Sequence, residues 1–67
     1  MKKYPINERV FESSNGARDF YILHCAHEWY VESFPAGTTD HTQKSIAGFS
    51  KLKTAKECIK AWEIWDK

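Results

Sequence analysis

Apolar and polar residues alternate through much of the first half of the chain, and a spacing of three and four between apolar residues takes over near its end. Period-two alternation marks a strand with one buried face, and a period near 3.6 marks an amphipathic helix. Arg9-Val10-Phe11-Glu12-Ser13 reads as a short strand of mixed character, followed by Ser14-Asn15-Gly16-Ala17. Asn-Gly is the strongest local hairpin signal, because both residues tolerate the positive φ of a tight turn. The return strand is Arg18 to Cys25, dense in β-branched and aromatic residues. Ala26-His27-Glu28 then turns the chain into a third strand from Trp29 to Phe34, ended by Pro35, which has no N–H for the ladder. The pattern predicts three antiparallel strands in a meander.

At the other end, Ala55, Cys58, Ile59, Trp62 and Trp65 recur at helical spacing and form one apolar stripe, with Lys56, Lys60 and Glu63 opposite. Thr54 followed by Glu57 has the capping-box pattern and predicts a helix from Ala55 to about Trp65. About eleven residues are marginal as an isolated helix, so burial of Trp62 is the expected stabiliser. Together these elements predict an α+β fold, one domain over residues 1 to 67: a three-stranded antiparallel sheet with one C-terminal helix packed on one face. A fourth strand over Ser45 to Phe49 is the alternative.

Which face the helix covers is ambiguous from the pattern. On the second strand Phe20, Ile22 and His24 oppose Tyr21, Leu23 and Cys25, and the second set is favoured as the inner one because it buries Cys25 and turns His24 out. On the third strand Trp29 and Val31 share a face with Ser33, and Tyr30 and Phe34 share the other with Glu32. A single helix covers a single face, so aromatic residues that lose the contest are left on an uncovered one. The segment from Ala36 to Ser50 is polar in its first half, with Ile46 and Phe49 as expected anchors to the core. So long a loop in a small domain tends to be mobile or to carry a binding function.

Composition narrows the functional classes. A chain of 67 residues with 42% hydrophobic and 28% charged residues is a soluble globular type with no room for a second domain. The ten aromatic residues, among them Trp29, Trp62 and Trp65, are expected to supply most of the core. No stretch approaches the roughly 18 apolar residues that cross a bilayer, and Met1-Lys2-Lys3 leads into no apolar run, so the expectation is a cytoplasmic protein without a membrane partner. Cys25 and Cys58 then read as small buried hydrophobes rather than a disulfide.

Net charge is +1, but residues 1 to 43 hold four basic and six acidic side chains and residues 44 to 67 hold six basic and three acidic. Lys51, Lys53, Lys56 and Lys60 therefore form a candidate nucleic-acid-binding set able to track phosphates. With Arg9 and Arg18 as the only arginines, bidentate reading of guanine has little to draw on. His24-Cys25-Ala26-His27, with His41 and Cys58, crowds potential metal ligands, yet neighbours on a strand point to opposite faces and no paired ligand spacing is present. No motif orients a base toward either cysteine. The expectation is a non-enzymatic chain with no catalytic residue, cofactor or metal.

The stretch from Phe49 to Trp62, with its aromatic residue, Thr54 cap and Lys/Glu/Ala-rich helix, resembles small phage and mobile-element domains in which a three-stranded sheet leads into a helix, including the arm-site DNA-binding domains of tyrosine recombinases. That resemblance implies DNA binding by the exposed sheet face. Here the strands carry Glu12, Asp19, Glu28 and Glu32 in place of the basic density of those domains. The similarity to phage-encoded inhibitors and adaptors implies instead that the module covers a protein partner or pairs with itself. Tyr21, Trp29, Tyr30 and Phe34 are the candidate anchors, Glu28 and Glu32 the expected rim charges, and the 36–48 loop a second contact region.

Overall fold

The computed structural model of the chain describes residues 4 to 65, and the side chains of residues 4 to 63. Four strands form one antiparallel sheet in sequence order: β1 (Arg9–Ser14), β2 (Arg18–Cys25), β3 (Glu28–Pro35) and β4 (Ser45–Phe49). A helix, α1 (Leu52–Trp65), follows and packs across β2, β3 and β4. The fold is thus the α+β meander with its C-terminal helix, in the four-stranded version.

Local chemistry explains the turns. Between β1 and β2, Gly16 takes a φ of 91°, and the Asn15 Oδ1 accepts from the N–H groups of Ala17 and Arg18 at 2.9 and 2.8 Å. That side-chain bridge is the usual means by which Asn starts a turn. Between β2 and β3 the connection is only Ala26 and His27, and Ala26 adopts a φ of 45°. β1 is bulged at Glu12, between the partners Phe11 and Ser13. Pro35 closes β3 as its last residue, where a missing N–H costs least.

The helix covers the face carrying Phe20, Ile22 and Val31, which are fully buried with Ala55 and Ile59. This corrects the expectation that Tyr21, Leu23 and Cys25 point inward. Phe20 and Ile22 outweigh Leu23 and Cys25 in apolar surface, and the cross-strand pair of Ile22 with Val31 continues the same face. Cys25 and Cys58 are both free, only part-buried, and placed on opposite sides of the sheet. Burial pushes the Cys58 thiol up, which lowers its thiolate fraction.

The helix also begins earlier than the capping box predicts. The Ala55 N–H donates to the Lys51 carbonyl at 3.2 Å, so Thr54 and Glu57 lie within the helix and not at its cap. Starting at Leu52 brings that side chain onto the core beside Trp62, whose ring leans on Phe20 with centroids 5.6 Å apart. Burial of Leu52 outweighs a single capping hydrogen bond. Of the predicted stripe, Trp65 has its side chain outside the described residues.

Candidate interaction surface

Strand register places two rows of side chains on the face turned away from the helix. Phe11, Tyr21, Glu32 and Ile46 are consecutive cross-strand partners over all four strands, and Arg9, Leu23, Tyr30 and Gly48 form the next row. The outer members of the first row are open to solvent, Phe11 at 50% and Ile46 at 53% exposure. Ile46 therefore does not anchor the loop to the core, as its apolar character suggested. Phe49 does, packing against the core cluster from the other side of the same strand.

Between these exposed flanks the centre of the face is closed by its own side chains and by the segment before β4 rather than by the helix. Phe34 is fully buried and Glu32 is 2% exposed. The Phe34 ring meets Tyr21 and His41 edge-on, with centroids 5.5 Å away in each case, and the Arg9 guanidinium lies 5.2 Å from its centre. Phe11 adds an edge contact with Tyr21 at 5.6 Å, so aromatic contacts run from β1 to the segment before β4. Such edge-to-face contacts contribute about 0.5–1.5 kcal/mol each beyond the area they bury.

Glu32 is held between Arg9 of β1 and Lys44, the residue before β4, the latter at 3.2 Å. Burial alone pushes its carboxyl upward, but the hydrogen bonds and charges of Arg9 and Lys44 reverse this and hold it below the usual glutamate range. Glu32 is consequently an internal tie between two strands rather than a rim charge. Glu28 does sit exposed at the rim, where its carboxylate accepts from the Tyr30 hydroxyl at 2.6 Å and raises the pKa of that phenol. The Tyr30 ring lies over Gly48, where an added Cβ would fall 3.0 Å from Cε1. A ring lying over a glycine restores the cross-strand contact that the missing side chain forgoes.

The 36–44 segment is tied down along its length. Gly37 N–H donates to the Asp19 carboxylate at 3.0 Å, and the Arg18 guanidinium donates to the carbonyls of Ser33 and Gln43 at 3.0 and 2.9 Å. Asp40 starts a 3-10 turn over His41–Gln43, its carboxylate accepting from the Thr42 hydroxyl and N–H, which lower its pKa. This turn sets His41 against Phe34 and delivers Lys44 to Glu32. A shallow cleft of about 350 Å³ lies beside it, lined by Asp19, Tyr21, Gly37, Thr38 and Thr39.

Five of the six residues singled out as partner anchors and rim charges, Tyr21, Glu28, Tyr30, Glu32 and Phe34, come together on this face. Trp29 does not. It is on the helix side, stacked on His24 with centroids 3.7 Å apart and met edge-on by Tyr4 at 5.7 Å. Sequence reasoning passed over Phe11, which the register makes the most exposed aromatic neighbour of Tyr21. Alternation within β1 held the signal, but the bulge at Glu12 blurs the phase.

Of the alternative set, Lys53, Lys56 and Lys60 line a shallow groove of about 500 Å³ along the helix with Leu52 and Glu57, and Lys51 precedes it. Lys56 Nζ lies 5.6 Å from the centre of the Tyr4 ring. Tyr4 donates to Glu12 at 2.7 Å, and desolvation together with that carboxylate raises its pKa to about 12. Among the described residues no group of three or more His, Cys, Asp or Glu side chains is placed to hold a metal ion, and no helix is long and apolar enough to cross a membrane. No protein-family model, curated protein or solved structure matches the chain.

Proposed function

We propose that this is a small non-enzymatic interaction module, of the accessory or inhibitor type found among phage-encoded proteins, that binds a protein partner through the open face of its sheet. The observation that carries this reading is the half-exposure of Phe11 and Ile46 at the two ends of one cross-strand row whose centre is closed. Apolar side chains held at fixed spacing on a sheet lose little entropy on docking, which is what an anchor needs. Phe11, Tyr21, Leu23 and Tyr30 supply the contact, and Glu28 with Asp19 steers a partner carrying a basic rim. Glu32 and Phe34 act beneath that surface by fixing its shape.

The test uses two exposed positions so that the fold survives. A Phe11→Ser/Glu28→Lys double variant, with far-UV circular dichroism and melting unchanged, is compared with the wild-type chain as immobilised bait against an extract of the source cells. The reading expects a protein retained by the wild type and lost from the variant. Equal retention by both, or none by either, removes it.

A nucleic-acid-binding role for Lys51, Lys53, Lys56 and Lys60 is the second reading, supported by three of them sharing one groove over about 10 Å of helix. It expects DNA or RNA binding that weakens steeply between about 50 and 200 mM salt and disappears on charge reversal at Lys56 and Lys60. No binding at the lower salt eliminates it.

A further inference from the structure

The two edges of the sheet are built differently. β1 is guarded: it carries Arg9 and Glu12 and is bulged at Glu12. Charges and bulges are devices that stop an edge from recruiting another strand. β4 has none of them. Ser45-Ile46-Ala47-Gly48-Phe49 contains no charge and no proline, keeps unbroken register with β3, and is the last strand of the sheet.

We propose that β4 pairs antiparallel with β4 of a second copy of this chain about a two-fold axis at Ala47, joining two four-stranded sheets into one of eight strands. Size complementarity selects this register. Ala47 then faces Ala47, Ile46 faces Gly48 and Ser45 faces Phe49, so every large side chain meets a small one. Ile46 and Gly48 share the open face while Ser45 and Phe49 share the helix face, so each pair meets on one side of the joined sheet. Ile46 of one copy comes to rest beside the Tyr30 ring that overlies Gly48 of the other. Centring the axis on Ile46 or Gly48 instead opposes two isoleucines or two glycines and loses this fit.

Charge permits the same arrangement. Lys44 falls opposite Ser50 and Lys51 opposite Gln43, so no lysine faces its own counterpart. The helix keeps Lys53, Lys56 and Lys60 on the flank toward Tyr4, which is bonded to Glu12 of β1, and helical spacing puts Thr54, Cys58 and Ala61 on the flank away from them. Closed two-fold pairing of this kind is the commonest oligomeric symmetry. Five paired residues bury less than the roughly 1,200 Å² of a standard interface, so the dimer is a weak one, forming between about 10 μM and 1 mM. It takes up Ile46 and Tyr30 of the open face but leaves Phe11 free, and it rests on the β4 edge rather than on the open-face reading.

Sedimentation equilibrium over that concentration range tests the pairing. The mass is expected to rise from one chain toward two, and Ile46→Lys, which installs an edge-guarding charge at an exposed position, should move the transition to at least about tenfold higher concentration with unchanged circular dichroism. In a Cys25→Ser/Cys58→Ser background, Ala47→Cys should crosslink on mild oxidation, because directly opposed Cα atoms lie about 4.5–5.5 Å apart, within disulfide reach. Phe11→Cys in the same background, on the guarded edge, should remain uncrosslinked. A chain that stays monomeric at about 1 mM overturns the proposal. So does a dimer that survives Ile46→Lys, or that links Ala47→Cys no better than Phe11→Cys.

Discussion

Both faces of the sheet bury aromatic rings, but with different materials. On the helix side Phe20, Ile22 and Val31 are covered by Ala55, Ile59 and the edge of Trp62, so apolar surface is removed from water by a separate element. On the open side Phe34 is equally buried under the side chains of Arg9, Tyr21 and His41, while Glu32 beside it is held by Arg9 and Lys44. The first arrangement gains from the hydrophobic effect directly. The second depends on charged and aromatic groups crossing strands, and it stays thin enough for Phe11 and Ile46 to remain on the surface. A three-layer fold is thus approximated with one helix, the third layer being a loop and three long side chains.

Matched substitutions separate the two kinds of burial. Phe20→Ala should cost about 3–5 kcal/mol, because the ring sits among apolar neighbours that collapse only partly into the cavity. A domain this small has total stability of about 3–10 kcal/mol, so urea titration followed by circular dichroism should show a largely unfolded or strongly shifted variant. Phe34→Ala removes the same ring from the other face and should cost less, about 2–3 kcal/mol, since Arg9 and His41 can fold into the space or return to water. Equal costs would mean that the polar cover is as rigid as the helix, and the distinction between the faces would fail.

Glu32→Gln should be milder still, about 1–3 kcal/mol, because Arg9 and Lys44 keep a hydrogen-bond acceptor and are themselves about one-third exposed or less buried than the carboxylate they flank. Its pH signature is more telling than its size. The folded-state pKa of Glu32 is depressed, so its contribution is present above the ordinary glutamate value and is lost as pH falls through the lower folded value. Urea midpoints measured from pH 7 down to about pH 3 should therefore fall less steeply in the Gln variant than in the wild type. Parallel curves would show that the carboxylate is not tied to its partners in solution.

The smallest expected effect lies at the bulge. Ser13 Oγ is buried with no hydrogen-bond partner among the described residues, so Ser13→Ala should be neutral or raise stability by up to about 1 kcal/mol. A loss of 1 kcal/mol or more would reveal a partner for that hydroxyl, such as a bound water, and would make the bulge a polar site rather than a packing defect.

Much of the architecture was legible in the residues. Asn15-Gly16, the dense apolar run of β2, the stop at Pro35 and the helical stripe of Ala55, Ile59 and Trp62 each report a local preference of the backbone, and local preferences act at short range along the chain. The helix starts at Leu52 rather than Ala55 because Thr54 and Glu57 satisfy a local rule that the burial of Leu52 overrides. The candidate surface was legible as a set of residue types but not as a surface. Tyr30 and Phe34 share a face by alternation, with Trp29 on the other, yet only the register of β2 against β3 puts Tyr21 beside them and sets Trp29 on His24 under the helix.

By itself the sequence determined the first three strands, the two turns between them and the presence of one amphipathic helix, because φ preferences and periodicity are properties of neighbouring residues. The tertiary structure decided which sheet face the helix covers, that Glu32 is an internal tie rather than a rim charge, and that Ile46 faces solvent while Phe49 faces the core. Those outcomes depend on total buried area and on charges brought together from residues 9, 32 and 44, and no local pattern carries that information.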